Sequence, residues 1–320
     1  MLGDESMSFA RDSKEELTRL KIEGSCCLKS ELAAIIFING SLNLGKETYL
    51  ELNTENAAVA RRIFTLFKEV FKTEPRIVVR QKTKLKKNKV YNLRIDGREN
   101  IMNILLLIGL MKSEGKENGY IFSESIDKDI LEKECCKRSF LRGAYLATGS
   151  IAHPDNSYHL EILSEYKSKG KDLVEIMQYF GLAPGLMDKK NGYIVYIKGS
   201  DEISKFLSVI GAHKALLDFE NVRVMKGMRN KINRLVNCET ANLQKTVVAS
   251  LRQIENIDVI DKNIGISNLP PELKEIAMKR VNYPEKNLKE LGETLNPPLG
   301  KSGVNHRLRK LERIAKKLKN

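Results

Sequence analysis

At 320 residues, with 42% hydrophobic content and a formal net charge of +14, the chain has room for two or three domains with their own cores. It is too apolar to be disordered, no window approaches about 18 uncharged apolar residues as a transmembrane helix requires, and the polar start (Asp4, Glu5, Arg11, Asp12, Lys14, Glu15, Glu16) argues against a secretory signal. A basic chain of this kind meets a polyanion, DNA or RNA before a membrane surface, and its charge is concentrated: residues 301–320 hold eight Lys/Arg against one acid, Glu312.

Residues 1–19 read as an N-terminal helix or extension. The chain then states one pattern twice. Cys26-Cys27-Leu28-Lys29-Ser30-Glu31-Leu32 is followed, after seven residues, by Gly40-Ser41. At a shift of 109 residues, Cys135-Cys136-Lys137-Arg138-Ser139-Phe140-Leu141 leads by the same spacing to Gly149-Ser150. Each copy is an apolar helix with small residues in its middle, Ala33 and Ala34 in one, Gly143 and Ala144 in the other. Small side chains let two helix backbones approach closely, so the two copies are expected to pack on each other. Each helix should end at its Gly-Ser, where glycine suits a C-terminal cap.

The cysteines come with the repeat. In a reducing cytosol disulfides are not expected. Four cysteines at matched positions invite zinc, but adjacent cysteines point in different directions, and tetrahedral sites space theirs by two or more residues. The expectation is therefore no metal, and small buried thiols packing the starts of two equivalent helices.

The duplication continues through alternating runs read as strands, Thr48–Leu52 and Tyr158–Ile162, and amphipathic helices, Ala57–Phe71 and Lys171–Phe180. Two strand-like runs follow in each copy, Arg76–Arg80 with Val90–Ile95, and Leu186–Lys189 with Tyr193–Ile197. Closing helices carry Ile101, Leu105 and Ile108, then Ile203, Leu207 and Ile210, now at a shift of 102. Each unit reads as αββαββα, giving tandem α+β repeats over residues 20–112 and 128–215 with pseudo-twofold symmetry. The seven extra residues of the first copy fit its hairpin, which is basic. Arg80, Lys82, Lys84 and Lys86 fall on one face of an extended strand and suit a phosphate backbone as secondary DNA contacts.

Residues 216–270 read as a helical connector, closed by Asn268-Leu269-Pro270-Pro271. Three helical patterns fill residues 271–320, an all-α unit. The first runs from Glu272 to about Val281. The second is capped by Asn287 with Glu290 three residues on, and Asn296-Pro297-Pro298-Leu299-Gly300 breaks the chain after it. The third is expected to start with Ser302 as N-cap. Val304, Leu308, Leu311, Ala315 and Leu318 share one of its faces, and Ser302, His306, Arg309 and Arg313 share another, flanked by Asn305, Arg307 and Lys310. This is the pattern of a helix-turn-helix recognition helix, whose N-terminal part enters the major groove. Asn and Arg there suit base edges, while Lys316, Lys317 and Lys319 suit phosphates, and Lys301 joins the expected DNA-binding set.

The segments Leu32–Gly40 and Leu141–Gly149 resemble the LAGLIDADG motif of homing endonucleases. The resemblance implies two helices packed at a pseudo-twofold axis, each delivering an acid just before its glycine to bind a divalent metal. Those positions hold Asn39 and Thr148. Hydrolysis with Mg²⁺ needs carboxylates between cation and phosphate, so the scaffold is expected to carry no catalytic residue, metal or cofactor. Including the C-terminal part, the chain is similar to the WhiA family of bacterial transcriptional regulators. The similarity rests on Thr54-Glu55-Asn56-Ala57-Ala58, Phe140–Ser150, Ile210-Gly211-Ala212-His213, Asn233–Asn242 and Ser302–Lys310. It implies a cytoplasmic, nucleoid-associated, non-enzymatic regulator of sporulation, cell division or chromosome segregation. Its partners would be double-stranded promoter DNA and, on the protein side, RNA polymerase, a sigma factor or another regulator. The rival reading is an active LAGLIDADG-type endonuclease; Glu51 and Glu161 sit near the motifs in sequence, but neither occupies the acid position.

Overall fold

The structure, a computed structural model, describes residues 8–22, 24–81, 89–114, 119–190 and 192–319. It divides into two compact units, residues 1–226 and 227–320.

The first unit opens with helix α1 (Phe9–Thr18). The first repeat then runs α2 (Ser25–Asn39), β1 (Gly40–Leu44), β2 (Thr48–Thr54), α3 (Ala57–Phe71), β3 (Arg76–Gln81), β4 (Lys89–Asp96) and α4 (Arg98–Leu107). A hairpin that the sequence pattern does not signal, β5 (Met111–Glu114) with β6 (Gly119–Phe122), precedes the second repeat. That repeat is α5 (Glu134–Thr148), β7 (Gly149–Ile151), β8 (His159–Ser164), α6 (Lys167–Tyr179), β9 (Gly185–Lys189), β10 (Gly192–Lys198) and α7 (Ser200–Ile210). The two antiparallel sheets have matching orders, β1-β2-β4-β3 and β7-β8-β10-β9, so both repeats are αββαββα. The strand alternation settles which side is buried: Leu50, Leu52, Leu93 and Ile95 in one sheet, Leu160, Ile162, Val195 and Ile197 in the other. Helix α3 starts where Asn56 accepts hydrogen bonds from the Ala58 and Val59 amides at 2.8 and 3.3 Å.

The centre of this unit is the packing of α2 on α5. Helix α2 is apolar on every side from Leu32 to Ile38 and is buried throughout that stretch. Each such side chain contributes on the order of 1.5–3 kcal/mol of transfer free energy. The expected small-residue contact is present: Ala33, Ala34, Gly143 and Ala144 are all buried. Among them lies a charge. Glu31 is fully buried, and its carboxylate accepts from Arg62 Nε at 2.7 Å and Nη2 at 3.2 Å and from Arg142 Nη1 at 3.3 Å. The first arginine comes from α3 of the same repeat and the second from α5 of the other.

Both helices end at their Gly-Ser with the glycine as C-terminal cap, as expected, its amide donating to the Ile36 carbonyl in one and the Tyr145 carbonyl in the other. Gly40 (φ −76°) and Gly149 (φ −66°) are extended and start β1 and β7 directly. Space requires glycine there, because a Cβ would lie 2.4 Å from the Ile36 carbonyl oxygen at one site and 2.2 Å from the Tyr145 ring at the other.

The expected connector is one helix, α8 (His213–Ile264), which runs through the division between units. The second unit continues with α9 (Pro271–Asn282), α10 (Leu288–Glu293) and α11 (Lys301–Lys319). Asn287 and Glu290 form the anticipated reciprocal cap of α10. Ile257, Ile260, Leu273, Ile276, Leu291, Val304, Leu308 and Leu311 make the core of this unit.

Candidate nucleic-acid interface

Helix α11 presents two faces. Val304, Leu308, Leu311 and Ala315 are buried and Leu318 is half-buried, the apolar stripe its spacing predicted. Lys301, Ser302, His306, Arg309, Lys310, Arg313, Lys316 and Lys317 are exposed, and Asn305 is half-buried. Among the described residues, no ion pair or hydrogen bond holds Arg309, Lys310 or Arg313, so their charges are available to a polyanion; Lys316 pairs with Glu312 at 3.3 Å. Two details depart from expectation. The helix begins at Lys301, and the Gly300 carbonyl accepts the Val304 amide at 3.1 Å, so Ser302 lies inside the first turn and is not its cap. Arg307 turns back onto α9, 3.7 Å from both Glu272 and Glu275, and is only 15% exposed. It ties α11 to α9.

Sequence reasoning missed the cleft beside the start of α11, lined by Lys245, Ser250, Gln253, Arg280, Lys289 and Lys301. Arg280 is buried at its floor, and its Nη1 donates to the Lys286 and Tyr283 carbonyls at 2.7 and 3.4 Å while its Nε has no partner. Burial pulls the Arg280 guanidinium below its ordinary range, with Glu285 opposing. Lys289, two residues past the recognisable Asn287 cap, was the available signal. Of the proposed secondary contacts, Arg80 is exposed at the end of β3, and Lys82, Lys84 and Lys86 lie outside the described residues.

At the C-terminal ends of α2 and α5, the positions that hold acids in LAGLIDADG motifs are committed to main chain. Asn39 Nδ2 donates to the Asn53 carbonyl and Thr148 Oγ1 to the Leu163 carbonyl, both at 2.7 Å. The two bonds are pseudosymmetric equivalents. Two ammonium groups occupy the same end. Lys169 donates to the Phe37 carbonyl, and Lys14 sits 5.6 Å from the Tyr145 ring centroid in a cavity it shares with Asn53, Glu55 and Thr148. Burial pushes Lys14 down to about 8 and lowers Lys169 as well, with Glu165 opposing in the second case. Glu51 accepts from Asn92 at 3.0 Å and Glu161 lies 3.6 Å from His159. Glu55 brings a carboxylate to that cavity, but the two motif positions hold neutral side chains and two ammonium groups stand beside them, where a divalent cation takes anionic oxygens.

At the opposite end of the same helix pair, one expectation is overturned. The adjacent cysteines do not point apart: the sulfurs of Cys26, Cys27, Cys135 and Cys136 all lie within 4.8 Å of one another. A helix start places successive side chains about 100° apart, and two helix starts facing each other close the gap.

Three family models match in order along the chain: the WhiA N-terminal LAGLIDADG-like domain over residues 25–111, the WhiA LAGLIDADG-like domain over 137–229, and the WhiA C-terminal helix-turn-helix domain over 232–315. The chain belongs to the WhiA family. WhiA relatives match over nearly full length. A protein of Natranaerobius thermophilus named "Probable cell division protein WhiA" is 54% identical, over 98% of this chain and 96% of its own. The protein of the same name in Bacillus subtilis is 48% identical over 98% of both. The crystal structure of full-length WhiA from Thermotoga maritima, 26% identical, aligns over 97% of this chain and 98% of its own with a TM-score of 0.58. The WhiA assignment covers both halves of the chain, the degenerate LAGLIDADG-like repeats and the helix-turn-helix. No helix among the described residues is long and apolar enough to cross a membrane.

Proposed function

We propose that the chain is a non-enzymatic, sequence-specific DNA-binding transcriptional regulator that works in the cytoplasm on the nucleoid. The observation that carries this reading is the division of α11 into a buried apolar stripe and an exposed face of Ser302, His306, Arg309, Lys310 and Arg313. In a helix-turn-helix the base-reading residues sit near the start of the third helix, and the exposed guanidinium of Arg309 is of the kind that bonds a guanine edge bidentately. The lysine-lined cleft next to it suits the adjacent phosphates. The name of its relatives supports a role in cell division, and the family resemblance adds sporulation and chromosome segregation. The LAGLIDADG-like unit is then a scaffold that offers further phosphate contacts, or a docking face for RNA polymerase, a sigma factor or another regulator.

The deciding experiment is a titration of the full chain with promoter fragments, in parallel with the Arg309→Ala, Arg313→Ala double variant. Loss of discrimination between specific and unrelated DNA is the expected result. Unchanged specificity would overturn the role of α11. Incubating the bound DNA with Mg²⁺ tests the endonuclease reading: intact DNA is expected, and site-specific cutting abolished by EDTA would overturn the non-enzymatic one.

A further inference from the structure

The four sulfurs at the N-terminal ends of α2 and α5 form a compact cage. Cys26 Sγ and Cys27 Sγ are 4.0 Å apart, and the full set, with Cys135 and Cys136, spans no more than 4.8 Å. A zinc–sulfur bond of about 2.3 Å sets the edge of a tetrahedron of thiolates at about 3.8 Å. The widest separation thus exceeds that edge by no more than about 1 Å, a span that a single ion can close. An iron–sulfur cluster, with its cysteines at the corners of a cube, needs a wider cage.

We propose that Cys26, Cys27, Cys135 and Cys136 bind one tetrahedral Zn²⁺ ion that joins the two repeats.

Three further observations agree with this. The ligand set is symmetric, two thiols from each repeat at equivalent positions, so the ion lies on the pseudo-twofold axis. Neither α2 nor α5 has a side-chain cap, Gly24 and Lys133 offering none, and although the Cys27 and Cys136 amides donate to the Gly24 and Lys133 carbonyls, both helix dipoles point their positive ends at the sulfurs and favour thiolates. The packing around the cage is also tied down. Ser30 Oγ donates to the Cys136 carbonyl at 2.7 Å across the repeats. Cys136 is buried and Cys135 exposed, which leaves an entry path for the ion. Binding is a simple exchange, in which four thiols give up their protons to solvent as Zn²⁺ takes their place. The ion has no open coordination position, so its role is structural.

The test is elemental analysis of the full chain purified under reductant without added metal, together with titration of the metal-free protein by Co²⁺. One zinc per chain is expected. Cobalt should saturate at one equivalent, with thiolate-to-metal charge-transfer absorption and the intense visible bands of a tetrahedral site. Cys135→Ser, at an exposed position where the fold does not depend on the thiol, should weaken zinc binding about tenfold or more. Zinc well below one per chain with no thiolate–cobalt band would overturn the proposal. So would iron in place of zinc, or zinc affinity unchanged in Cys135→Ser. Should a serine variant fail to fold, the cobalt titration of the unaltered chain decides by itself.

Discussion

Gly143 of α5 lies directly against the main chain of Glu31 in α2. A Cβ on Gly143 would fall 2.3 Å from the Glu31 carbonyl oxygen and 2.9 Å from the Ala34 Cβ. Neither obstacle can swing aside, since one is helix backbone and the other a methyl fixed to it. Gly143→Ala should therefore destabilise the chain by about 1–3 kcal/mol through overpacking. At Gly227, in α8, a Cβ would meet nothing within 4 Å, and Gly227→Ala should stabilise by about 0.5–1 kcal/mol. Thermal melts of the two variants should move in opposite directions; shifts of the same sign would contradict the tight helix contact.

The Glu31 carboxylate is enclosed by two guanidinium groups. Glu31→Gln keeps the shape and leaves Arg62 and Arg142 facing each other without their counter-charge. The expected loss is about 3–5 kcal/mol, read as the change in urea denaturation. A loss well under 1 kcal/mol would show that water reaches the triad.

Lys14 supplies a pH dependence. Burial holds its folded-state value at about 8, below the ordinary lysine value of 10.5. The unfolded chain binds this proton more tightly, so Lys14 opposes folding in full below about pH 8, and the cost fades as pH rises toward 10.5. Lys14→Met should raise stability at pH 7 by on the order of 2 kcal/mol, allowing for partial exposure. That advantage should shrink between pH 8 and 10.5 when melts of variant and parent are compared. A difference independent of pH would show that the ammonium is fully solvated.

Arg309 and Arg307, two of the arginines on α11, should behave differently. Arg309→Ala is expected to cost about 1–3 kcal/mol on the specific site and little on unrelated DNA. Arg307→Ala removes the tie to Glu272 and Glu275 and should lower the melting temperature by the equivalent of about 0.5–1 kcal/mol. Lys316→Ala should weaken binding to all sequences alike and reduce the salt slope by about one. DNA titrations at several salt concentrations separate the three. Identical profiles for Arg309→Ala and Lys316→Ala would contradict the division between base and phosphate contacts.

Much of this arrangement was legible in the sequence because it is periodic or repeated. The 109-residue shift exposed the αββαββα duplication, and the four-three spacing from Val304 to Leu318 showed which face of α11 is buried. The acid positions were legible as Asn39 and Thr148, although their bonds to the Asn53 and Leu163 carbonyls were not. What stayed hidden depends on two segments meeting in space. Adjacent cysteines look divergent along one helix, and only the facing start of a second helix makes them converge. Arg307 looks like its neighbours on α11 until α9 brings Glu272 and Glu275 to it. Gly40 and Gly149 were legible as caps, but local sequence does not show that the next strand starts at once from an extended glycine.

A chain that carries one packing helix twice faces a problem of address, since either copy could seek its own kind on another molecule. The buried triad resolves it. At the 109-residue shift, Glu31 corresponds to Phe140 and Arg142 to Ala33. Pairing two first copies would bury Glu31 opposite Ala33 and deny it Arg142, and pairing two second copies would press Arg142 against Phe140. The first mismatch leaves Glu31 with Arg62 alone as its counter-charge, and the second leaves Arg142 without a carboxylate, each a loss of charge pairing away from water. The small residues let the helices meet, and the misfit charges decide which two can do so, which keeps the partnership within a single polypeptide.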